Sequence, residues 1–304
     1  MGYLDAKVAV VTGAGRGIGR KIALLMAAEG AKVVVNDLGG SDHGEGADTS
    51  VADQVVNEIR QGGGQAVSNP DSVASWEGAD RIVRTALESF GRIDVVVNNA
   101  GILRDRIIFK MSEQEWDAVI NVHLKGTFNC IRAAAPHFRE QNGGRFINFT
   151  STSGLIGNVG QANYGAAKMG IVALSKITAL DMKRYNVTSN CIAPFAWTRL
   201  IATIPTENEA QRRRVEKLKK MSPADVAPLA AFLASDQAAG INGQVFGVRG
   251  KEIFLFSQPR IVRSMHKSEG WKVEDLSEML EATMKSHFTP VDTSPEYIGW
   301  DPLV

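Results

Sequence analysis

Short apolar runs alternate with longer segments whose apolar residues recur at helical spacing, up to about residue 250. The runs at 8–11, 32–36, 65–68, 93–98, 145–149, 187–192 and 244–248 predict strands. Between them the pattern predicts helices; in 19–28, for example, Ile22, Leu25 and Met26 fall on one face. Strands alternating with helices are βαβ units. Val8-Ala9-Val10-Val11 and Asp94-Val95-Val96-Val97 have the near-continuous apolarity of strands covered on both faces. The expected fold is α/β, a doubly wound parallel sheet of about seven strands with helices on both faces.

The pattern changes near Gly250. Beyond it come an apolar run at 253–256, a break at Pro259, and a helical segment with Val273, Leu276, Leu280 and Met284 at helical spacing. The residues from Phe288 onward contain three prolines and read as irregular. We read 1–250 as a single dinucleotide-binding catalytic domain and 251–304 as an extension docked on it or on a partner subunit. The apolar face of the extension needs a cover, either the chain's own core or another subunit. The Gly-rich stretch at 39–46 reads as a mobile loop.

At 304 residues, 44% apolar and 22% charged, the chain is neither disordered, collagenous nor a disulfide scaffold. A net charge of +1 gives no global field toward nucleic acid or an anionic membrane, so neither is an expected partner. Cys130 and Cys191 form no CxxC pair and the five histidines are scattered, so no metal is expected. No apolar stretch is long enough to span a bilayer. The N-terminal residues reach glycines before a signal-type apolar run forms. Ala6 stands where myristoylation favours Ser or Thr, and the C-terminus lacks a peroxisomal SKL-type tail. The expected location is cytoplasmic.

The first predicted strand runs into Thr12-Gly13-Ala14-Gly15-Arg16-Gly17-Ile18-Gly19 and then a helix. Glycines there let the backbone approach a pyrophosphate, and the helix offers it free N–H groups. This context makes the sheet Rossmann-type, although the spacing is Gly-x-x-x-Gly-x-Gly rather than Gly-x-Gly-x-x-Gly. At the end of the second strand, Asp37 can accept both ribose hydroxyls and repel a 2′-phosphate, which favours NAD over NADP. Arg16 pulls the other way, because a cation in this loop can pair with that phosphate.

Tyr164 and Lys168 are one helical turn apart. A phenol with a pKa near ~10 is a poor base, but an adjacent ammonium and the positive ring of an oxidised cofactor favour its phenolate. Ser151 follows the apolar run ending at Phe149, at the carboxyl end of the sheet where such folds bind ligands. A Tyr-x-x-x-Lys alone is weak, since any helix can carry it. Ser151, Asn98-Asn99-Ala100-Gly101 and the glycine loop together make a constellation.

On these residues the chain resembles the short-chain dehydrogenase/reductase family from Val8 to about Gly250. The resemblance implies that Tyr164 moves the proton, that Ser151 orients the substrate oxygen, and that Lys168 holds the ribose and lowers the Tyr164 pKa. It implies a cofactor site of Gly13, Arg16, Gly17, Ile18, Gly19, Asp37, Leu38, Asp71, Ser72, Asn99, Ala100, Gly101, Tyr164, Lys168, Pro194 and Thr198. Asp71 would face the adenine. The family's usual Asn, whose backbone helps hold a proton-relay water, is replaced by His123, either a relay member or a packed helix residue. Phe195 stands where a glycine often follows the proline.

The stretches at 36–40, 98–106 and 160–168, with His123 and 194–199, resemble the (3R)-hydroxyacyl-CoA dehydrogenase part of peroxisomal multifunctional β-oxidation enzymes. They also resemble bacterial relatives acting on steroid side chains. The implied activity is NAD-dependent oxidation of a secondary alcohol by a homodimer or homotetramer, on a small substrate that is acyl-CoA or steroid-like. Alternatives are an alcohol or hydroxysteroid dehydrogenase on a free substrate, an NADPH-linked 3-oxoacyl reductase, and an inactive cofactor-binding subunit. The basic residues Arg212, Arg213, Arg214, Lys217, Lys219 and Lys220 suit a rim for coenzyme A phosphates. They fit better a solvated helix face balanced by Glu207, Glu209 and Glu216.

Overall fold

The computed structural model describes residues 2–196 and 209–304. Its strands are β1 (Val8–Thr12), β2 (Lys32–Asn36), β3 (Gln65–Asn69), β4 (Val95–Asn98), β5 (Gly144–Phe149), β6 (Val187–Phe195), β7 (Val245–Arg249) and β8 (Glu252–Leu255). They form one sheet in the order β3-β2-β1-β4-β5-β6-β7-β8, and all pairings are parallel except β7–β8. The helices are α1 (Gly17–Ala28), α2 (Ser50–Gln61), α3 (Trp76–Phe90), α4 (Glu113–Ile120), α5 (Gly126–Gln141), α6 (Thr152–Leu155), α7 (Ala162–Met182), α8 (Glu209–Lys219), α9 (Ala227–Ala234), α10 (Val273–Met284) and α11 (Ser294–Tyr297).

Alternation along β1 explains the two layers of core. Ala9 and Val11 face a cluster with Ile22, Met26, Val55, Ile59 and Leu233, while Val8 and Val10 face one with Ile82, Phe138 and Phe146. β1 is therefore buried on both sides, as its unbroken apolar run requires. The order reverses between β1 and β4, and at that switch point the strands' carboxyl ends open a crevice.

The eighth strand was not among the expected seven. Its Val248↔Ile253 and Gly247↔Phe254 pairs form because Gly250, at φ +58°, turns the chain back along the free edge of β7. The tail then returns: Lys251 N–H donates to the Leu303 carbonyl at 2.9 Å, and Arg249 stacks on Trp300 and donates to its carbonyl. Helix α10 forms, but none of its residues is buried and Leu276 and Leu280 remain exposed. The chain's own core does not cover that face.

The stretch expected to be a mobile loop is tied down. Leu103 N–H donates to the Asp42 carbonyl at 3.0 Å, His43 Nδ1 lies 3.0 Å from the Leu103 carbonyl, and Arg104 donates twice to the His43 carbonyl. These partners lie some sixty residues away, beyond the reach of any local reading.

Candidate active site

The glycine loop leaves β1 and enters α1. Gly13 and Gly17 have φ of +63° and +53°, which side-chain-bearing residues resist. A Cβ on Gly19 would lie 2.2 Å from the Gly13 carbonyl oxygen, and one on Gly13 2.8 Å from Ala100 Cα. Helix α1 has neither a side-chain cap nor an acidic residue in its first turn, so its N–H groups are offered to an anion. Thr12 and Asn99 bind the two loops together. Asn99 and Ala100 N–H groups donate to Thr12 Oγ1 at 3.1 and 3.2 Å, and Asn99 Nδ2 donates to the Thr12 and Gly13 carbonyls at 3.0 Å.

Asp37 follows β2 directly. Its Oδ2 accepts from Gly15 N–H at 2.8 Å and its Oδ1 from Gly39 N–H at 2.7 Å, so the carboxylate is fixed beside the loop. Leu38 is partly exposed next to it, Ile18 packs against the core, and Arg16 Nη1 lies 3.4 Å from the Gly40 carbonyl. Past β3, Asp71 is oriented by Asn69 Nδ2 at 3.0 Å and paired with Arg81 at 2.7 Å, while Ser72 Oγ accepts from Ala74 N–H. Pro194 lies within β6 opposite Val248, and Phe195 continues the strand opposite Arg249. Thr198 lies outside the described residues, as do the side chains of Arg214 and Lys217.

An uncapped helix N-terminus, a backbone with no room for Cβ atoms, and a fixed carboxylate at the end of the next strand suit a dinucleotide. Gly13, Gly17, Gly19 and Asp37 would hold it.

At the neighbouring strand ends the structure brings Ser151, Tyr164, Lys168 and His123 together. Ser151 begins α6, and its Oγ accepts from Ser153 N–H at 3.2 Å, close enough to the Tyr164 phenol to act on its pKa. Lys168 is buried, with Nζ donating to the Phe149 carbonyl at 2.7 Å and lying 5.5 Å from the Tyr164 ring centre. Burial pushes its pKa down to about 7. Burial also pushes the Tyr164 phenol up to about 12; the Ser151 hydrogen bond works against this and the Asp105 charge adds to it. In the chain alone the phenol therefore stands above its ordinary range, and desolvation is the main reason.

His123 occupies a π-helical turn (Asn121–Lys125) between α4 and α5, a widened turn that sequence periodicity does not reveal. It is buried edge-on to Tyr164 at 5.1 Å, with Nε2 2.8 Å from the Ile102 carbonyl and 3.1 Å from the Ile102 nitrogen. The shorter contact assigns the proton to Nε2, donating to the carbonyl. Its Nδ1 is buried without a partner, and burial, then the Lys168 charge, holds the ring far below the usual imidazole pKa.

Sequence reasoning used the segment from Ile102 to Arg106 only as part of a family resemblance and gave its residues no role. Besides its contacts to His123 and the tied-down loop, its Arg104 carbonyl accepts from Asn163 Nδ2 at 2.9 Å and Arg106 N–H donates to the Gly160 carbonyl at 2.8 Å. Asp105 Oδ2 accepts from Gln161 Nε2 at 2.8 Å. Beside it an open pocket of about 480 Å³ is lined by Ile107, Ile108, Ser153, Asn158, Val159 and Gln161. The C-terminal tail reaches its rim, where Ser294 N–H and Oγ donate to the Gly157 carbonyl at 2.8 and 3.0 Å.

Comparison with known proteins gives the family of the chain. A family model described as enoyl-(acyl carrier protein) reductase matches residues 13–250. The chain is 48% identical over 261 residues to the peroxisomal multifunctional enzyme type 2 of Drosophila melanogaster, covering 83% of this chain and 42% of that protein. It is 40% identical over 308 residues to the hydroxyacyl-CoA dehydrogenase ChsB1 of Mycobacterium tuberculosis, covering 98% and 93%. A crystal structure of a short chain dehydrogenase from Mycobacterium avium superposes with a TM-score of 0.83 at 42% identity, over 96% of this chain and 99% of that one. The chain belongs to the short-chain dehydrogenase/reductase family. It is an oxidoreductase of the class that uses a nicotinamide cofactor, and no described helix is long and apolar enough to cross a membrane.

Proposed function

We propose that this chain oxidises the secondary alcohol of a 3-hydroxyacyl-CoA with NAD. The observation that carries the reading is the convergence of Ser151, Tyr164 and Lys168 where β4 and β5 end, beside a pocket rimmed by Ser153 and Gln161. ChsB1 is named a hydroxyacyl-CoA dehydrogenase, which supports the thioester over a free alcohol.

Tyr164 takes the substrate hydroxyl proton while Ser151 holds the oxygen. Reaction near neutral pH takes a second positive charge beside the phenol, which a bound oxidised nicotinamide cofactor supplies together with the hydride acceptor. Lys168 keeps a donor beside Tyr164 and, with a pKa about 7, can pass a proton onward. His123 belongs to the site as a neutral ring that braces Ile102 and Tyr164. NAD preference follows from Asp37, whose carboxylate disfavours a 2′-phosphate. Arg16 supports the NADPH-linked reductase as a second reading, since its side chain lies in the same loop.

In this reading 251–304 is an extension of one catalytic domain, docked through β8 and Ser294, and its exposed α10 face is buried in a homodimer or homotetramer. Initial rates with NAD and NADP on a 3-hydroxyacyl-CoA of each hand, its free acid and a hydroxysteroid test the assignment. NAD-linked oxidation confined to a thioester is expected, together with loss of at least ~100-fold in Tyr164→Phe. Turnover of only the free alcohol or steroid sinks the thioester assignment, and full activity of Tyr164→Phe sinks the site.

A further inference from the structure

A line of side chains runs from Asp105 to Ser151. Asp105 Oδ2 accepts from Gln161 Nε2 at 2.8 Å, and Gln161 Oε1 accepts from Ser153 Oγ at 2.7 Å. Ser153 Oγ in turn accepts from Asn158 Nδ2 at 2.9 Å and lies 3.2 Å from Ser151 Oγ. The chemistry of the groups sets one direction. A carboxylate has no proton to give, so the Gln161 amide must turn its NH₂ toward Asp105 and its oxygen toward Ser153. Ser153 has one hydroxyl proton and directs it to Gln161. Its oxygen is thereby left as an acceptor, for Asn158 and for the Ser151 hydroxyl.

We propose that Asp105 is a positioning residue: through Gln161 and Ser153 it keeps Ser153 Oγ an acceptor, which holds the Ser151 side chain in place by a long 3.2 Å hydrogen bond that the Ser151 hydroxyl exchanges for the substrate oxygen when substrate binds. The inference deepens the function proposed above and rests on its assignment of Ser151. Two observations make Asp105 a suitable anchor. Its neighbours on both sides are locked by main-chain contacts, the Arg104 carbonyl to Asn163 and Arg106 N–H to Gly160. Gln161 and Ser153 both line the pocket, so the line runs along the wall that a substrate touches. Without the carboxylate the amide of Gln161 is free to flip, and a flipped amide donates to Ser153 instead of accepting from it. Ser153 would then turn its proton toward Ser151 Oγ, which already accepts from Ser153 N–H, and Ser151 would lose the acceptor that holds its side chain in place.

The test uses Asp105→Ala, which removes the acceptor, and Asp105→Asn, whose amide oxygen still accepts from Gln161 Nε2. With the best substrate of the panel, Asp105→Ala should lower kcat about tenfold, with the KM for cofactor held within about twofold. Asp105→Asn should recover most of that loss. In parallel, the side-chain amide of Gln161 is followed by ¹⁵N NMR in the protein alone, assigned with Gln161→Met. Its proton resonance should move in Asp105→Ala and stay in Asp105→Asn. An unchanged kcat or an unmoved amide in Asp105→Ala overturns the proposal, and so does an Asn variant as impaired as the Ala one. If Tyr164→Phe keeps full turnover, or nothing in the panel is oxidised, the proposed function fails, while the NMR arm still decides the role of Asp105.

Discussion

Lys168 Nζ donates to the Phe149 carbonyl at 2.7 Å and lies 5.5 Å from the ring centre of Tyr164, with the lysine itself buried. Its pKa near 7 is below the 10.5 of ordinary lysine, so between those values the unfolded chain holds the proton more tightly. The stability this group contributes is complete above the unfolded value and is lost as pH falls toward 7. Between about pH 9.5 and about pH 7.5, the wild type should lose up to ~1.4 kcal/mol per pH unit relative to Lys168→Met. Urea unfolding of the two proteins across that range measures it.

His123 gives a second pH dependence lower on the scale. Burial keeps its imidazole neutral, so unfolding becomes easier once the unfolded histidine begins to bind a proton below 6.5. Between about pH 6.5 and about pH 5, His123→Asn should retain ~1–2 kcal/mol of stability that the wild type loses. Parallel acid losses in chemical denaturation would mean that His123 is protonated in the folded protein.

Asp37 can be tested without collapsing the loop that it holds. Asp37→Asn keeps one acceptor for Gly15 or Gly39 N–H but removes the charge. The ratio of kcat/KM for NAD to that for NADP should fall by about 10- to 100-fold, equivalent to ~1.4–2.8 kcal/mol. An unchanged ratio assigns cofactor choice elsewhere, with Arg16 as the first candidate.

Gly19 tests the close approach of the loop. The obstacle to a Cβ there is the Gly13 carbonyl 2.2 Å away, a backbone atom that cannot rotate aside. Gly19→Ala should weaken cofactor binding at least about tenfold and lower stability by ~1–3 kcal/mol. Fluorescence titration with the reduced dinucleotide and a thermal melt read the two effects separately.

Much of this was legible in the sequence because the signals are local. An unbroken apolar run such as Val8-Ala9-Val10-Val11 can satisfy its side chains only inside a two-sided layer. Tyr164 and Lys168 declare themselves because one helical turn fixes their spacing. What escaped depends on distant partners. The four residues of β8 become a strand only because β7 offers a free edge, and the Gly-rich loop is held by Leu103 and Arg104. Asp105 and Gln161 are 56 positions apart, and although both lie in stretches that carry a family resemblance, neither shows a role until the fold sets them side by side.

From Ile102 to Arg106 the chain works as a ruler. Ile102 meets His123, Leu103 meets the Asp42–His43 turn, Arg104 meets Asn163, Asp105 meets Gln161, and Arg106 meets Gly160. Most of these contacts use amides and carbonyls, which every amino acid except proline carries alike. Several positions can therefore change identity at small cost, whereas a single insertion or deletion would hand every graduation to the wrong neighbour. In this stretch the invariant is the number of residues more than their kinds.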